Sequence, residues 1–317
     1  MLSSLAAELR QSLSILQKQE IQTASEVLSG ALGKSAAVPI GDDCAAIPDG
    51  DGYLLLAAEG MLPELVEADP WFAGWSAVMV NVSDIAAMGG RAIAVVDAIW
   101  SQSRETELIW AGMTAAARTY SVPIVGGHTN CHSPYSALAV AILGRARQLI
   151  TSFDARAGDA LLLASDFRGK PHPSYPFWNA ATDRDPAELR QALAILPHLA
   201  EAGLCAAGKD VSMGGILGTL LMLLETSGCG AVLDLDQIPC PPELSLNHWL
   251  ITFPSYGFLL SVSPHQVAAV RACFQQQGLR CEQVGKVQAE PELLLRSASE
   301  SLVFWDFRQQ PLTGFRH

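Results

Sequence analysis

Hydrophobic and polar positions alternate along the chain in blocks that predict strands and helices in turn. Apolar residues recur at helical spacing from the N-terminus to about residue 20, which predicts an amphipathic helix, followed by a second helix over 21–32. Short apolar runs predict strands over 53–58, 92–98, 123–125, 136–144, 231–235, 250–262 and 279–287, and a turn followed by a strand over 155–165. Longer runs predict helices over 71–88, 105–120, 186–202, 215–225 and 264–277.

This alternation is present in both halves of the chain and predicts two domains of the α/β or α+β class, 1–150 and 151–317. The segment 167–186 is rich in proline, aromatic and polar residues and predicts a long ordered loop. As a substrate loop it would offer Arg168, Lys170 and His172 to an anion and Trp178 to a ring; the alternative is a structural lid.

Composition narrows the class of protein. The chain has 317 residues, half of them apolar and 16% charged, which is typical of a compact globular protein. The net charge of -12 argues against a general affinity for nucleic acid or anionic membrane. No secretory leader or membrane-spanning run is predicted, and seven cysteines without a CxxC pair favour the reducing cytoplasm.

Polar residues interrupt apolar stretches at several places. The clearest set is Asp42 and Asp43 after Gly41, Glu59 after a strand, Asn81 and Asp84 on one face of an apolar helix, His128 and Thr129 after Gly126 and Gly127, and Asp210 and Ser212 before Gly214. A buried carboxylate without a partner costs about 3–5 kcal/mol, so such residues need a counter-ion. Oxygen-rich sites suit Mg²⁺, and glycines let backbone N–H groups approach phosphate.

Each residue also has a purely structural interpretation. The Asp pair would lie on a solvated turn, Asp84 would pair with Arg91, His128 would be a core histidine and Ser212 would cap a helix. The stretch from residue 30 to 35, GALGKS, ends like a phosphate-binding P-loop but lacks the required first glycine, because residue 28 is Leu. Lys34 remains a candidate phosphate contact in another geometry.

Five motifs in order carry a resemblance to a known family. They are IGDDCAAI (40–47), MVNVSDIAAMGGRA (79–92), VGGHTN (125–130), ARAGDALLLAS (155–165) and KDVSMGGILGTL (209–220). The chain resembles the aminoimidazole ribonucleotide (AIR) synthetase superfamily, which includes thiamine-monophosphate kinase, selenophosphate synthetase, the hydrogenase-maturation dehydratase and formylglycinamidine synthetase. It looks closest to the AIR synthase-related and methanogenesis-marker branches.

The resemblance implies a two-domain AIR-synthase-like fold, with an N-terminal mixed sheet that forms a homodimer and a C-terminal α/β sandwich. ATP and Mg²⁺ would bind in a cleft between the domains, and a phosphoryl group would pass to a small molecule, as a product or as activation for dehydration or amination. Two alternatives stay open: a nucleotide-binding regulatory protein without turnover, and a metal-dependent phosphoester hydrolase.

The resemblance also implies roles for individual residues. The metal ligands would be Asp42, Asp43, Glu59, Asp84 and Asp210. The catalytic groups would be Asp42, Asp43, His128 and Asp210. Nucleotide contacts would come from Lys34, Gly41, Asn81, Asp84, Gly126, Gly127, Thr129, Ser212 and Gly214, with Arg145 as a further source of positive charge. Met213 stands where the kinase has a second Asp, which argues against thiamine-phosphate kinase activity.

Overall fold

The computed structural model describes residues 2–31 and 38–315, and its contacts divide the chain into two compact units. The five-stranded unit consists of Asp43–Leu149 and Arg184–His198, and the seven-stranded unit of Met1–Asp42, Ile150–Asp183 and Leu199–His317. The single boundary predicted near residue 150 stays a prediction, since these units are defined by contacts and each draws on separated stretches of sequence.

The five-stranded unit contains one mixed sheet and its helices. Its strands are β1 (Ala45–Asp49), β2 (Gly52–Gly60), β3 (Arg91–Gln102), β4 (Ile124–Asn130) and β5 (His132–Ala146). Its helices are α4 (Pro63–Ala68), α5 (Pro70–Ala87), α6 (Ser103–Tyr120) and α7 (Pro186–Leu193). The strand order is β1-β2-β5-β3-β4, and all neighbours are antiparallel except β3 and β4, which are parallel.

Helix α5 covers one face of this sheet. Its residues from 72 to 87 are all buried, as expected for a helix that is apolar on every side. Leu55 and Gly144 are paired across β2 and β5, and a side chain at Gly144 would come within 2.6 Å of Ile85 of α5. The alternation of side chains along a strand therefore directs Leu55, Ala57 and Ile142 toward α5.

The seven-stranded unit is built around a second sheet. Its long strands are β6 (Ala160–Ser165), β9 (Ala207–Asp210), β10 (Gly230–Asp234), β12 (Gly257–Val262), β13 (Arg280–Gln288), β14 (Glu292–Ser297) and β15 (Glu300–Asp306). Three short strands, β7 (Lys170–Pro171), β8 (Phe177–Asn179) and β11 (Phe253–Pro254), form a separate small sheet. The large sheet has the order β15-β14-β10-β13-β6-β12-β9, so β9 is an edge strand.

The helices of this unit are α1 (Leu2–Arg10), α2 (Leu13–Gln19), α3 (Gln22–Ala31), α9 (Gly215–Ser227), α10 (Leu246–Trp249) and α11 (Val267–Gln275). A further helix, α8 (Ile195–Glu201), contains the sequence boundary between the units, and 3-10 turns span Leu235–Gln237 and Pro264–Gln266. Helix α9 is buried along nearly its whole length and lies in the apolar core, which includes Leu217, Leu220 and Leu221.

Several predicted elements need correction. Residues 128–130 continue strand β4 rather than following it, because β4 pairs with β3 as far as Asn130. The first predicted helix is two helices, since Ser12 takes an extended conformation between them. The helix predicted over 186–202 is divided between α7 and α8. The strand predicted over 250–262 begins in the turn after α10 and is divided between β11 and β12. Strands β1, β7, β8, β9, β14 and β15 were not predicted.

Candidate functional site

The Asp loop begins at Gly41, where only glycine fits. Its φ is +118°, and a Cβ would lie 2.8 Å from the Phe315 side chain. Asp42, in the seven-stranded unit, accepts a hydrogen bond from the Ser152 N–H at 2.8 Å, and its other oxygen lies 4.0 Å from the Lys209 ammonium. Its side chain is only 1% exposed. The backbone therefore turns sharply at Gly41, and the unit's own donors fix the Asp42 carboxylate.

Asp43 belongs to the five-stranded unit and lies beside Asp84 of α5. Carboxylate oxygens of the two residues lie within 4.8 Å of one another, and Asp84 is 6% exposed. The Cys44 N–H meets the Met88 sulfur at 3.0 Å, which ties the chain after Asp43 to the C-terminal end of α5. Two ionised carboxylates this close repel each other, so a cation between them would stabilise the arrangement.

Asn81 lies one helical turn before Asp84. It is completely buried, and its amide donates to the Ala77 carbonyl at 2.8 Å. Its side-chain oxygen is buried and has no hydrogen-bond partner among the described residues. The spacing of three residues places Asn81 and Asp84 on the same side of α5, as predicted.

A row of residues crosses the sheet on the face that α5 covers. Glu59 and Asp97 flank Val140 in register, and Asp97 is in turn paired with Gly127. Glu59 is exposed at the end of β2, whereas Asp97 is 6% exposed. A side chain at Gly127 would come within 2.4 Å of the Asp97 carboxylate, so glycine makes room for it.

Asp97 was not predicted as a site residue. Both of its oxygens are buried and neither has a hydrogen-bond partner among the described residues. Burial raises its pKa from the ordinary 3.8 to about 6. A charged residue in the apolar strand AIAVVDAIW was the sequence signal that would have found it.

The structure separates His128 from this row. In β4, Gly127 and Thr129 lie on the face of Asp97, while Gly126 and His128 lie on the opposite face. His128 is exposed, and its ring lies 5.9 Å from that of Trp100. His128 therefore lies on the face of the sheet away from α5. The phosphate contact that the family resemblance implies for it stays a prediction.

In the seven-stranded unit, Asp210 is the last residue of β9 and Ser212 lies in the connection from β9 to α9. Asp210 is 4% exposed at the end of β9. The Ser212 N–H donates to the Thr219 hydroxyl at 3.2 Å, and the Ser212 hydroxyl is buried with no hydrogen-bond partner in the described residues. Gly214 precedes the first residue of α9 as its N-cap, so backbone N–H groups of the helix start lie close in sequence to these side chains.

Among the described residues, the ammonium group nearest to Asp42 in its ion pair is that of Lys209, which was not predicted as a site residue. It is 5% exposed on the edge strand β9. Lys34 lies outside the described residues. Arg145 is half-exposed and pairs at 3.4 Å with Asp49 and Asp51.

The predicted substrate loop is held by local bonds. Trp178 is completely buried and its indole N–H donates to the Asp166 carbonyl at 2.8 Å, so the expectation that it stacks on a ligand ring is wrong. Arg168 forms two bonds of 2.8 Å to the Asp166 carboxylate, and Lys170 pairs with Asp183 at 2.7 Å. The region therefore forms a small packed sheet. The contacts of Arg168, Lys170 and His172 with an anion stay a prediction.

The oxygen donors of the five-stranded unit fit magnesium. Asp43 and Asp84 offer hard carboxylate ligands, the type that Mg²⁺ prefers, and their spacing allows one ion to take an oxygen from each after a small movement. In the described part of the chain, no helix has both the length and the apolar character needed to cross a bilayer.

Two family models match the chain. Residues 41–146 match the AIR synthase related protein N-terminal domain, and residues 156–296 match the corresponding C-terminal domain. The predicted fold with two AIR-synthase-like domains is therefore confirmed.

Full-length relatives agree with these matches. The uncharacterized protein sll0787 of Synechocystis sp. is 60% identical over 318 residues, covering 99% of both chains. Thiamine-monophosphate kinase of Synechococcus elongatus is 28% identical over 307 residues, covering 87% of this chain and 90% of the kinase.

Solved structures share the fold. The T. maritima PurL complexed with ATP matches with a TM-score of 0.71 at 19% identity, over 84% of this chain and 45% of PurL, so the chain spans about half of that protein. AaThiL complexed with AMPPCP and TMP matches with a TM-score of 0.68 at 16% identity, over 89% of this chain and 96% of AaThiL.

Proposed function

The chain belongs to the AIR synthase-related family, and on that basis we propose that it is a Mg²⁺-dependent enzyme that transfers the terminal phosphoryl group of ATP to a small-molecule acceptor. The relatives named as thiamine-monophosphate kinase, and the solved structures with ATP or AMPPCP, support a nucleotide as the phosphoryl donor. The acceptor is a small molecule whose phosphorylation is either the outcome or the activation for dehydration or amination.

The observation that carries this proposal is the close pair of Asp43 and Asp84. Their oxygens, within 4.8 Å of one another, are arranged as ligands to an ion that a polyphosphate would share. Magnesium bound there would neutralise phosphate charge. The contributions of Glu59 and Asp210 to the same ions stay predictions from the family resemblance.

In the reaction, an acceptor oxygen forms a bond to the γ-phosphorus while the bond from that phosphorus to the β–γ bridging oxygen breaks. ADP leaves with the electron pair, and an acceptor hydroxyl releases its proton to solvent. The protein's contribution is positioning and charge neutralisation rather than covalent chemistry. Buried carboxylates such as Asp84 are suited to this because their geometry is fixed before substrate binds.

We propose that the enzyme is a homodimer joined through the sheet face opposite to α5. Ile47, Leu56 and Val96 lie on this face and are 48%, 47% and 41% exposed. Exposed apolar side chains on several strands of one sheet face favour association with a second copy of the same chain. Sedimentation should show a dimer that Val96→Glu converts to a monomer. Leu108→Glu, at an equally exposed site on α6, should leave it a dimer.

The proposed location is the cytoplasm, and the seven free cysteines fit this reducing compartment.

Single-turnover incubation with γ-labelled ATP, Mg²⁺ and fractionated metabolites tests the activity. The proposal expects label on a small molecule in at least one fraction. Binding of ATP with no transfer or hydrolysis would favour a regulatory protein. Release of phosphate from simple phosphoesters without ATP would favour a hydrolase.

A further inference from the structure

An open groove lies between helix α6 and strand β4 of the five-stranded unit. Its volume is about 680 Å³, and all of its lining residues lie between 110 and 126, so it belongs to one unit. Pockets of roughly 300–1,000 Å³ are typical of sites for small organic molecules. Strand β4 is the last strand in the order of its sheet, so no described strand pairs with its outer side. One wall of the groove is therefore a helix and the other is the edge of a sheet.

The helix wall is a stripe of residues at helical spacing. Thr114 lies four residues after Trp110, and Ala117 and Arg118 lie three and four residues after Thr114, so all four line the same side of α6. Trp110 and Thr114 are half-buried, Ala117 is buried and Arg118 is exposed. The wall thus offers an indole, a hydroxyl and a guanidinium group above a small apolar base.

The turn from α6 to β4 also lines the groove, and it is held in place. Helix α6 ends at Ser121, which takes a left-handed conformation with φ 55°. The Val122 N–H donates to the Ala117 carbonyl at 3.0 Å, and the Arg190 guanidinium of α7 donates to the Thr119 carbonyl at 2.7 Å. These bonds fix the end of the helix, so the shape of the groove does not depend on a ligand.

Arg118 sets the charge that the groove accepts. Among the described residues that line the groove it is the only charged one, and its side chain forms no ion pair or hydrogen bond with another described residue. A guanidinium group is a planar fork that can donate two parallel hydrogen bonds to one carboxylate. A single cation matches the single charge of a carboxylate better than the roughly two charges of a phosphate monoester. The charge of the groove therefore favours a monocarboxylate.

The other lining side chains set the body of the ligand. Trp110 is half-buried, so part of its indole is open to the groove, and an aromatic ring stacks well on such a surface. Val122 and Ile124 add apolar surface from the turn and the start of β4. A strongly polar body would lose its hydration here without gaining enough hydrogen-bond partners. The lining therefore favours a flat apolar body.

The edge of β4 is poorly suited to an added strand. Its pairing with β3 shifts register between Val95 and Val96, which marks a bulge or irregularity, and Val125 is 64% exposed beside this point. Irregular edges disfavour pairing with a further strand. A peptide strand or the edge of a second copy is therefore a weaker candidate for this groove than a small molecule.

We propose that the groove between α6 and β4 binds a small aromatic monocarboxylate, with its carboxylate on Arg118 and its ring against Trp110. This site goes beyond the proposed function, because none of its lining residues belongs to the Asp43 and Asp84 pair.

Calorimetric titration of the full-length protein with 2-naphthoate and with its uncharged analogue 2-naphthamide, without nucleotide, tests the role of Arg118. The wild type should bind the carboxylate at least about tenfold more tightly than the amide, because a hydrogen bond to a charged group is the stronger one. Arg118→Gln should lower naphthoate affinity by about tenfold and change naphthamide affinity by less than about threefold. Arg104→Gln, at an exposed arginine in the first turn of the same helix, is the matched control and should bind both as the wild type does. Equal naphthoate affinity in Arg118→Gln and wild type, or no naphthoate binding by the wild type, overturns the inference.

Fluorine NMR of protein labelled with 5-fluorotryptophan locates the ligand. The signal that Trp110→Phe removes belongs to Trp110, and 2-naphthoate should shift this signal. Thr114→Phe places a ring in the groove and should abolish the shift. A response confined to the other tryptophans places the ligand elsewhere and overturns the inference. If circular dichroism shows that Thr114→Phe does not fold, the weaker response of the Trp110 signal in Arg118→Gln at equal naphthoate concentration decides, and an equal response overturns the inference.

Two further measurements distinguish the competing occupants. Sedimentation of Thr114→Phe should match that of the wild type, whereas a change of oligomeric state would assign the groove to a second copy and overturn the inference. An uncharged peptide of alternating valine and threonine, which probes strand addition, should not displace 2-naphthoate. Displacement would assign the edge of β4 to an added strand and overturn the inference as well.

Discussion

The two units surround their buried carboxylates in different ways. In the seven-stranded unit, donors compensate the acids: Glu225 accepts hydrogen bonds from residues 312–314, and Asp42 faces the Ser152 N–H and Lys209. In the five-stranded unit, Asp43 lies against Asp84, and Asp97 has no hydrogen-bond partner among the described residues.

The contrast holds even for two carboxylates that are neighbours in the sequence. Asp42 and Asp43 are adjacent and chemically identical, yet one is held by protein donors and the other faces a second carboxylate. Compensated carboxylates stabilise the fold, while crowded or desolvated ones are costly and call for a ligand. Under the proposed function, this contrast assigns the metal ligands to Asp43 and Asp84 of the five-stranded unit.

The largest expected effect is at the close carboxylate pair, Asp43 and Asp84. Asp84→Asn removes one charge that a metal would bridge, so phosphoryl transfer should fall by about a thousandfold, while the fold is kept or stabilised because carboxylate repulsion is relieved. Single-turnover assay and thermal unfolding measure the two properties. Asp51→Asn, at a side chain that is 85% exposed in the same unit, is the control and should change neither. An active Asp84→Asn enzyme would contradict the assignment.

Glu225, whose carboxylate accepts several hydrogen bonds, should show the reverse effect, because its substitution should destabilise the fold. Glu225→Gln loses a buried charge that several N–H and O–H donors face and puts an amide N–H against them, so the free energy of unfolding should fall by about 3 kcal/mol. Urea denaturation measures the loss. Glu243→Gln, at an exposed position of the same unit, should be neutral. A loss no greater than that of Glu243→Gln would show that the C-terminal segment is not held by this carboxylate.

The buried carboxyl group of Asp97 should make the free energy of unfolding depend on pH. Because burial raises its pKa from 3.8 to about 6, the folded state holds the proton more tightly than the unfolded state. Its contribution to stability is therefore greatest below pH 3.8, falls as the pH rises toward 6 and is constant above that. At about 1.36 kcal/mol for each tenfold change in proton affinity, the total loss is about 3 kcal/mol. Asp97→Asn should flatten this part of the stability profile, and Asp51→Asn should not; a wild-type-like slope in Asp97→Asn would be the contrary result.

The smallest effect is expected at Thr226, whose hydroxyl donates to the Ser152 carbonyl at 2.6 Å. Thr226→Val keeps the side-chain shape and removes this hydroxyl, so the free energy of unfolding should fall by about 1 kcal/mol. Urea denaturation measures the loss. Thr182→Val, at a partly buried hydroxyl in the same unit, provides the comparison, and a Thr226→Val variant as stable as the wild type would argue against the bond to Ser152.

Much of the fold could be predicted from sequence because the decisive elements have strong local signals. Helix α5 is apolar on every side and ends before two glycines, and five ordered motifs identify the family. The extent of β4 could not be predicted: its glycines and polar residues resemble a turn, and only pairing with β3 makes them a strand. Strands β14 and β15 were missed although their apolar positions alternate with polar ones, and β1 was too short and too exposed to stand out.

The candidate site, too, could be predicted only in part from the sequence. Asp43 and Asp84 could be predicted because they lie in motifs, and their proximity in space required the tie between Cys44 and Met88. Asp97 lies within a strand whose apolar neighbours made it look structural, whereas Lys209 opens a recognised motif in which Asp210 was singled out instead. Their burial, and the space that Gly127 leaves for Asp97, depend on strand pairing and not on local sequence.

Calorimetric titration of the wild-type protein with ATP, once with excess Mg²⁺ and once with EDTA, tests most directly whether a carboxylate pair recruits nucleotide through metal. We expect micromolar binding with Mg²⁺ and an affinity at least about a hundredfold weaker without it. Equal affinity under both conditions would contradict recruitment of the nucleotide through metal.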